Sequence, residues 1–456
     1  MSGGLERDLR ALLGDAGVAP SGDPLYRRDA TESQGLEGAP DAVALPGSTE
    51  EVERVVRWCY ERDLAIVPRG GGSGFSGGCV PVEGGVVVDL RRMTRVRAFD
   101  PLLWRMYVEA GLRTSEVRRL ARENGLLFPP DPGAAEQSQI GGNVATNAGG
   151  PHAFKYGVTG RWVTGLEAVV PPGETIAVGG ALRKDVAGYD LKDLLIGSEG
   201  TLGIVTSVWL RLTPAPEAAA PVVALYGDAR AGCAAIEAVL GSGIQPAAIE
   251  FLDAGALRAS GGAYPFRLPD DAAFMVVTEA DGSAAETAAT AAELREALAD
   301  GALALHAPQG PGETGALWRW RDGVSGAVEA QHGGKVSEDV VVPLDRLADA
   351  VETTLEIGAR HGLEACSWGH AGDGNLHATF LVDPRDAEQV ERAHAAAHDL
   401  YAAAAGMGGS ISGEHGIGWV KRGHLGLQWS PAAVALHRAI KQAFDPKGLM
   451  NPGKKT

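Results

Sequence analysis

The sequence has no excess of basic residues and no run of Lys and Arg. Lys and Arg total 41 while Asp and Glu total 58, so the formal net charge is 41 − 58 = −17. A surface of that sign repels phosphate backbones, and no Lys/Arg cluster offsets it. DNA and RNA are therefore not expected as partners.

Long apolar runs are also missing. No segment approaches the roughly 20 residues that a membrane-spanning helix needs, so no span is predicted. The opening stretch, MSGGLERDLRALLGDAG, lacks the basic-then-apolar order of a secretory signal. The four cysteines are scattered and form no CxxC pair, which is typical of reduced, packed thiols in a cytoplasmic protein.

A chain of 456 residues is too long for one compact core, so two or three domains are expected. The composition shifts at TPAPEAAAP, residues 213–221. We therefore predict a first domain over residues 1–215 and a second over 216–425. A C-terminal segment, 426–456, is expected to pack back onto another part of the chain.

Glycine is abundant, with 64 residues gathered in a few tracts. The first tract contains GSGFSG, Gly72 to Gly77, between predicted strands at 64–68 and 86–90. It satisfies GxGxxG but opens no helix and lacks a GK[ST] ending, so neither a Rossmann fingerprint nor a P-loop is predicted. Its backbone N–H groups can still form a nest for a diphosphate. The alternative is a flexible surface hairpin. Ordering so many glycines costs much conformational entropy, and a ligand that needs close approach of the backbone would compensate for that cost.

Two further glycine tracts follow, IGGNVATNAGG from Ile140 and GSEGTLGIVT from Gly197. Three such segments in one domain favour a large, extended cofactor over a single phosphate. The first of the two belongs to a long stretch, residues 128–150, that we predict to be irregular, and so long a loop is usually functional.

The second half of the chain alternates strand candidates with Ala-rich helix candidates. Strands are predicted near residues 222–226, 273–278, 336–342 and 376–382, and helices near 229–240, 284–299, 344–361 and 387–404. This order predicts an α+β fold with the helices against one face of a sheet.

Two histidine motifs stand out in that half. GHAGDGNLH, Gly369 to His377, places two imidazoles around a tight turn, and GEHG, Gly413 to Gly416, follows nearly forty residues later. Two imidazoles and a carboxylate suit a divalent metal of the zinc class. The alternative is that the histidines are hydrogen-bonded scaffold residues.

Together these motifs resemble the FAD-linked D-2-hydroxyacid dehydrogenases, which include D-lactate dehydrogenase, the glycolate oxidase flavin subunit and D-2-hydroxyglutarate dehydrogenase. PRGGGSGFSGG, IGGNVATNAGG, GSEGTLGIVT, GHAGDGNLH, GGSISGEHGIG and FDPKGLMNPGK occur in that order between about Asp41 and Lys454. The resemblance implies a fold of the vanillyl-alcohol-oxidase type. Its FAD domain would have two α+β subdomains, and its α+β substrate (cap) domain a mainly antiparallel sheet.

The resemblance also implies site residues by position. FAD would be bound by Pro68, Arg69, Gly70, Gly71, Gly72, Ser73, Gly74, Ser76, Gly77, Pro132, Gly133, Gly142, Asn143, Thr146, Gly149, Glu199, Gly203, Ile204 and Asn451. Because the first tract has no histidine, the FAD is expected to be non-covalent. The metal ligands would be His370, His377 and Glu414, with zinc expected and manganese or iron open. His415 would be the base, and Arg321, Ser325 and Lys335 would bind substrate, the alternative for these three being a solvated helix face.

The activity implied is oxidation of a small D-2-hydroxyacid to the 2-oxoacid, with metal-assisted binding and hydride transfer to flavin N5. Where the 2-hydroxyglutarate enzymes have Asn, this chain has Thr379, so the hydroxyacid stays open. The electron acceptor stays open among a quinone, a cytochrome, an electron-transfer flavoprotein and an Fe–S subunit. A homodimer is the oligomeric state considered. Two alternatives are a flavin-binding subunit of a glycolate-oxidase-like complex and an enzyme like alkyl-dihydroxyacetonephosphate synthase.

Overall fold

A computed structural model describes residues 2–31 and 35–455. Contacts divide the chain into two units. The first comprises Met1–Gly149, Gly157–Ala215 and Glu414–Thr456, and the second comprises Gly150–Tyr156 and Pro216–Gly413.

The described residues form eighteen strands. They are β1 Val18–Ala19, β2 Ala42–Ala44, β3 Ile66–Arg69, β4 Val86–Asp89, β5 Val96–Asp100, β6 Arg105–Glu109, β7 Leu126–Leu127, β8 Val163–Val170, β9 Glu174–Gly179, β10 Ile204–Arg211, β11 Thr213–Pro214, β12 Ala218–Tyr226, β13 Ala248–Asp253, β14 Phe274–Gly282, β15 Ala304–His306, β16 Gly334–Val341, β17 Ala365–His370 and β18 Asn375–Val382.

Fourteen α-helices are found in the same described ranges. They are α1 Ser2–Leu13, α2 Thr49–Tyr60, α3 Thr114–Glu123, α4 Ile140–Thr146, α5 Ala153–Tyr156, α6 Leu191–Leu195, α7 Ala229–Gly241, α8 Ala254–Ser260, α9 Ala284–Ala297, α10 Gly310–Asp322, α11 Val324–His332, α12 Leu347–Arg360, α13 Ala387–Gly406 and α14 Pro431–Phe444.

The first unit contains two main sheets. One has the order β1-β2-β4-β3, with β4 parallel to both β2 and β3. The other is antiparallel, with the order β5-β6-β10-β8-β9. Helix α2 begins after Ser48, whose side chain accepts a hydrogen bond from Glu51 N. The helix buries Val52, Val55 and Val56 in a core shared with the first sheet. The first glycine tract links β3 to β4 without a helix, as the sequence predicts.

One sequence prediction is wrong within this unit, because the stretch 128–150 is not irregular throughout. Residues Ile140–Thr146 form the helix α4. Glycine has low helix propensity, so Gly141 and Gly142 concealed the helix in the sequence. The packing requires the missing side chain at Gly141, since a Cβ there would lie 2.7 Å from Ala110 Cβ.

The two units differ from the predicted domains at one of their two boundaries. The chain passes from the first unit to the second between Ala215 and Pro216, where the sequence also predicts a domain boundary. The second unit ends at Gly413, whereas the sequence placed that boundary after residue 425. Residues 414–425 belong to the first unit because Ile417 N and Gly418 N donate to Glu199. In the C-terminal segment, Met450 forms an isolated β-bridge with Ile66 of β3.

The second unit is built on a seven-stranded antiparallel sheet of order β15-β12-β14-β13-β17-β18-β16. The four Ala-rich helices, α7, α9, α12 and α13, cover one face. Tyr226 Oη, for example, donates to Leu298 O just after α9. The opposite face carries α8, α10 and α11, and their Leu257, Leu317 and Val328 pack with Trp368.

Candidate functional site

His370 and His377 project from neighbouring strands, β17 and β18, on the face that carries α8, α10 and α11. Their rings lie 5.3 Å apart between centroids at an interplanar angle of 88°. One ligand nitrogen from each ring comes within 4.8 Å of the other. Both residues are buried, at 7% and 8% exposure. The structure therefore brings the two predicted imidazoles together, and their geometry suits a shared ligand.

The turn between the two histidines depends on its glycines. Gly374 has a φ of +68°, and a Cβ there would lie 2.1 Å from Val342 O. Asn375 Nδ2 donates to Asp339 Oδ1 at 2.6 Å and to Val340 O at 2.9 Å. A non-glycine residue at 374 would meet both backbone strain and a steric clash.

Glu250 is a site residue that the sequence reasoning missed. It lies opposite His370 in the β13–β17 register, and its Oε1 is 2.6 Å from His370 Nδ1. Its side chain is fully buried. A carboxylate at Nδ1 fixes the proton on that nitrogen and directs Nε2 toward a ligand. The available signal was an acidic residue inside the short apolar run AIEFLD.

Arg321 is the second partner of Glu250. Arg321 Nη2 lies 2.5 Å from Glu250 Oε2, and both groups are buried. The angles of this ion pair fall outside hydrogen-bond geometry, so Arg321 Nε and Nη2 have no hydrogen-bond acceptor among the described residues. A buried charge of this kind is stable only when paired, and Glu250 supplies the pairing.

The other two residues predicted to bind substrate lie against each other. Lys335 Nζ donates to Ser325 O at 2.9 Å and to Ser325 Oγ, and it lies 3.6 Å from Glu329 Oε2. Burial lowers the pKa of Lys335, and Glu329 opposes that shift. The resemblance implied that Arg321, Ser325 and Lys335 bind substrate together, whereas the contacts join Ser325 to Lys335 and Arg321 to Glu250.

Thr379, the departure from the 2-hydroxyglutarate pattern, follows His377 by two residues on the same sheet face. Its side chain is buried, and its Oγ1 lies 2.8 Å from Ser337 Oγ. Two hydroxyl groups therefore lie together at this position.

Glu414 directly follows Gly413 in the chain. Gly413 N donates to Asp339 Oδ2 at 2.8 Å, and Ser412 Oγ donates to the same oxygen at 2.9 Å. Asp339 is buried and lies opposite His377 in the β16–β18 register. Asp339 thus fixes the backbone one residue before Glu414, the predicted third metal ligand.

His415 lies in the first unit. Its ring centroid is 4.6 Å from that of Phe75, which belongs to the first glycine tract. The sequence did not connect these two motifs, because neither loop carries a periodic pattern that reveals its partner.

The glycines of the first tract form a closely packed backbone. A Cβ on Gly71 would lie 2.1 Å from Gln137 O, and one on Gly70 would lie 3.3 Å from Gly142 Cα. Gln139 Oε1 is buried without a hydrogen-bond partner among the described residues. Bare backbone beside an unsatisfied buried amide oxygen fits a bound diphosphate-containing cofactor.

Several predicted FAD residues have side chains that serve the protein itself. Asn143 Nδ2 donates to Thr114 Oγ1 at 2.7 Å, and Thr146 Oγ1 donates to Gly142 O at 3.2 Å. Asn451 Nδ2 donates to Gly78 O and to Glu199 O, each at 2.8 Å. Asn451 therefore ties the C-terminal segment to the first glycine tract.

Lys454, which the sequence reasoning missed, strengthens the same attachment. Its Nζ donates to Gly78 O, Val80 O and Asn451 Oδ1 at 3.1, 2.7 and 2.7 Å. Burial lowers the pKa of Lys454 to about 8.

Comparison with known proteins places both units in one family. The model for the C-terminal domain of FAD linked oxidases matches residues 215–455, and the model for an FAD binding domain matches residues 40–179. Among the described residues, no helix is both long enough and apolar enough to cross a membrane.

Three curated relatives match along most of their length. The glycolate oxidase subunit GlcD of Bacillus subtilis is 37% identical, covering 95% of this chain and 92% of its own. A D-2-hydroxyglutarate dehydrogenase of Xanthomonas citri is 38% identical, covering 91% and 89%. A D-lactate dehydrogenase of Anaerostipes hadrus is 33% identical, also covering 91% and 89%.

Solved structures share the fold at lower identity. A p-cresol methylhydroxylase superposes with a TM-score of 0.81 at 18% identity, over 99% of this chain and 96% of that one. An alkyldihydroxyacetonephosphate synthase gives 0.75 at 21% identity, over 98% and 84%. The fold is therefore the predicted vanillyl-alcohol-oxidase type, and the chain belongs to the FAD-linked oxidase family, whose members named above include dehydrogenases and oxidases of hydroxyacids.

Proposed function

We propose that this FAD-linked oxidoreductase oxidises a small D-2-hydroxyacid to the 2-oxoacid. The three relatives are named for glycolate, D-2-hydroxyglutarate and D-lactate, which share a hydroxyl beside a carboxylate. The observation that carries the proposal is the buried His370–His377 pair with Glu250 on His370 Nδ1. Such a pair suits a metal that would hold both groups of a 2-hydroxyacid.

The chain's own residues fit non-covalent FAD. The glycine backbone at 70–72, the unsatisfied Gln139 and the tail residue Asn451 support a cofactor-binding surface in the first unit. Bound FAD would itself accept the hydride, and with it two electrons, from the substrate. The protein's part is to hold the cofactor and to present the substrate Cα to it.

His370, His377 and Glu414 are the proposed metal ligands. With Nδ1 held by Glu250, His370 would bind through Nε2, and Glu414 adjoins Gly413, which Asp339 fixes. Two nitrogens and a carboxylate oxygen suit zinc, and also manganese or iron. A divalent ion supplies Lewis-acid polarisation of the substrate hydroxyl.

His415 is the proposed base for the hydroxyl proton, since an imidazole can accept a proton near neutral pH. Arg321, Ser325 and Lys335 are the proposed substrate-binding residues. Arg321 offers buried donors that lack acceptors among the described residues, and Lys335 offers a buried amine beside Ser325. A substrate carboxylate is the natural acceptor for such groups.

The test is anaerobic bleaching of the flavin by a panel of D-2-hydroxyacids, with and without a chelator. We expect bleaching by at least one of glycolate, D-lactate and D-2-hydroxyglutarate, and loss of bleaching after verified removal of the metal. Unchanged reduction by the metal-free protein would refute the metal role. No bleaching across the panel would favour the alternative, a flavin-binding subunit, for which the name of the GlcD relative is the specific support.

The electrons must then leave the flavin for an acceptor. A quinone, a cytochrome, an electron-transfer flavoprotein and an Fe–S subunit are the proposed candidates, and addition of each to the substrate-reduced protein distinguishes them. We also propose a cytoplasmic location, supported by the four free cysteines. A homodimer stays a prediction.

A further inference from the structure

The segment that follows His415 is attached to the side chain of Glu199. Ile417 N donates to Glu199 Oε1 at 3.0 Å, and Gly418 N donates to Oε2 at 2.6 Å. Both carboxylate oxygens thus accept backbone N–H groups two and three residues after His415. Hydrogen bonds to an ionised acceptor are among the stronger ones in proteins.

Glu199 is itself held rigidly. Its backbone has a φ of +54°, its N donates to Ala145 O at 2.7 Å, and its carbonyl accepts from Asn451 Nδ2 at 2.8 Å. Lys455 Nζ lies 3.0 Å from Glu199 Oε1. The side chain is 2% exposed, so it is a fixed, buried anchor rather than a mobile surface acid.

A second support for the same segment comes from the first glycine tract. Ser76 O accepts from Trp419 N at 2.7 Å and from Val420 N at 3.2 Å. Gly418 has a φ of +51°, and a Cβ there would lie 2.1 Å from Ser76 O. Phe75, the preceding residue of the tract, contacts the His415 ring.

We infer that Glu199 is a positioning residue for His415 and acts through the Ile417 and Gly418 amides. This inference rests on the proposed function, in which His415 is the base. It also changes the role that the resemblance implied for Glu199, because its carboxylate is engaged by protein backbone. A misplacement of about 1 Å in a reacting group can cost about a hundredfold in rate.

The test compares Glu199→Gln, His415→Ala and the double variant by anaerobic rapid mixing with the best substrate of the panel. Gln replaces one acceptor oxygen by an NH₂ donor that faces a backbone N–H. We expect E199Q to retain FAD, to keep its half-saturating substrate concentration within about threefold, and to lower the limiting rate of flavin reduction about 10- to 100-fold. The double variant should be no slower than H415A, because both changes disable one group.

Glu51→Gln is the matched control, since Glu51 also accepts a backbone N–H, from Gly47 at 2.7 Å. Its reduction rate should match that of the unmodified protein. If E199Q does not accumulate as folded protein, Glu199→Asp keeps the charge but shortens the reach, and a smaller rate loss in the same direction is expected.

The possible results separate the inference from the proposed function. A normal rate in E199Q or E199D beside an inactive H415A overturns the inference alone. Additive losses in the double variant, or loss of FAD from E199Q, also overturn it, since Glu199 would then act on the cofactor. A normal rate in H415A removes the proposed base, and the positioning role with it.

Discussion

At the scale of single residues, buried charges organise the candidate site. His370, Glu250 and Arg321 form a continuous line of contacts at 2.6 and 2.5 Å. Each member would be costly to bury alone. The histidines could be predicted from their motif, whereas Glu250 and its pairing could not, because residues 250, 321 and 370 meet only through the sheet register and helix packing.

Replacing Glu250 tests this line of contacts. E250Q should weaken divalent metal binding about 10- to 100-fold, because the partner that orients His370 loses its charge. Competition against a chromophoric chelator measures the dissociation constant without reference to activity. Glu329→Gln, at the partly exposed partner of Lys335, is the control and should leave metal affinity unchanged. Equal affinities in E250Q and the unmodified protein would contradict the role of Glu250.

At the scale of elements, the sequence predicts periodic segments well, but it predicts poorly those segments whose structure depends on tertiary contacts. Eight elements of the second unit occur near their predicted positions, because their hydrophobic periodicity and alanine content indicate regular structure. They are strands β12, β14, β16 and β18 and helices α7, α9, α12 and α13. Helix α4 was missed because its two glycines have low helix propensity, although Gly141 is needed for close packing against Ala110. Helix α8, on the site face of the sheet, was missed as well.

Through Lys454, the C-terminal segment is expected to make the free energy of unfolding depend on pH. Lys454 has a folded-state pKa of about 8, below its value of about 10.4 in an unfolded chain. Between these two pKa values the unfolded chain binds more protons, so the free energy of unfolding rises with pH. Relative to Lys454→Met, the unmodified protein should gain at most about 3 kcal/mol as pH rises from below 8 to above 10. Urea-unfolding curves of both proteins at several pH values measure the difference, and parallel pH profiles would refute it.

At the scale of the whole molecule, the predicted site residues are shared between two units of the chain. The glycine tracts, Glu199, His415 and Asn451 belong to the first unit, while His370, His377, Arg321 and Lys335 belong to the second. This agrees with the separate domains that the resemblance implied. The chain passes from the second unit to the first between Gly413 and Glu414, inside the GEHG motif itself.

This division predicts that FAD binding and metal binding can be separated. His377→Ala should abolish metal binding and lower substrate-driven flavin reduction at least 100-fold, while the purified protein keeps its full content of FAD. Flavin absorbance and elemental analysis of the same sample measure both. His398→Ala, on helix α13, is the control and should change neither. Loss of FAD from H377A in proportion to the metal would show that the two sites are coupled.

The sequence by itself determined the family and FAD as its cofactor, and it singled out His370 and His377, because the glycine tracts and the GHAGDGNLH turn are local sequence patterns. The tertiary structure alone decided which carboxylate meets which partner: Glu250 with His370, Asp339 with Gly413, and Glu199 with Ile417 and Gly418. The physical reason is that a buried charge is stable only beside a compensating group. Strand register and loop packing bring that group from a distant part of the chain.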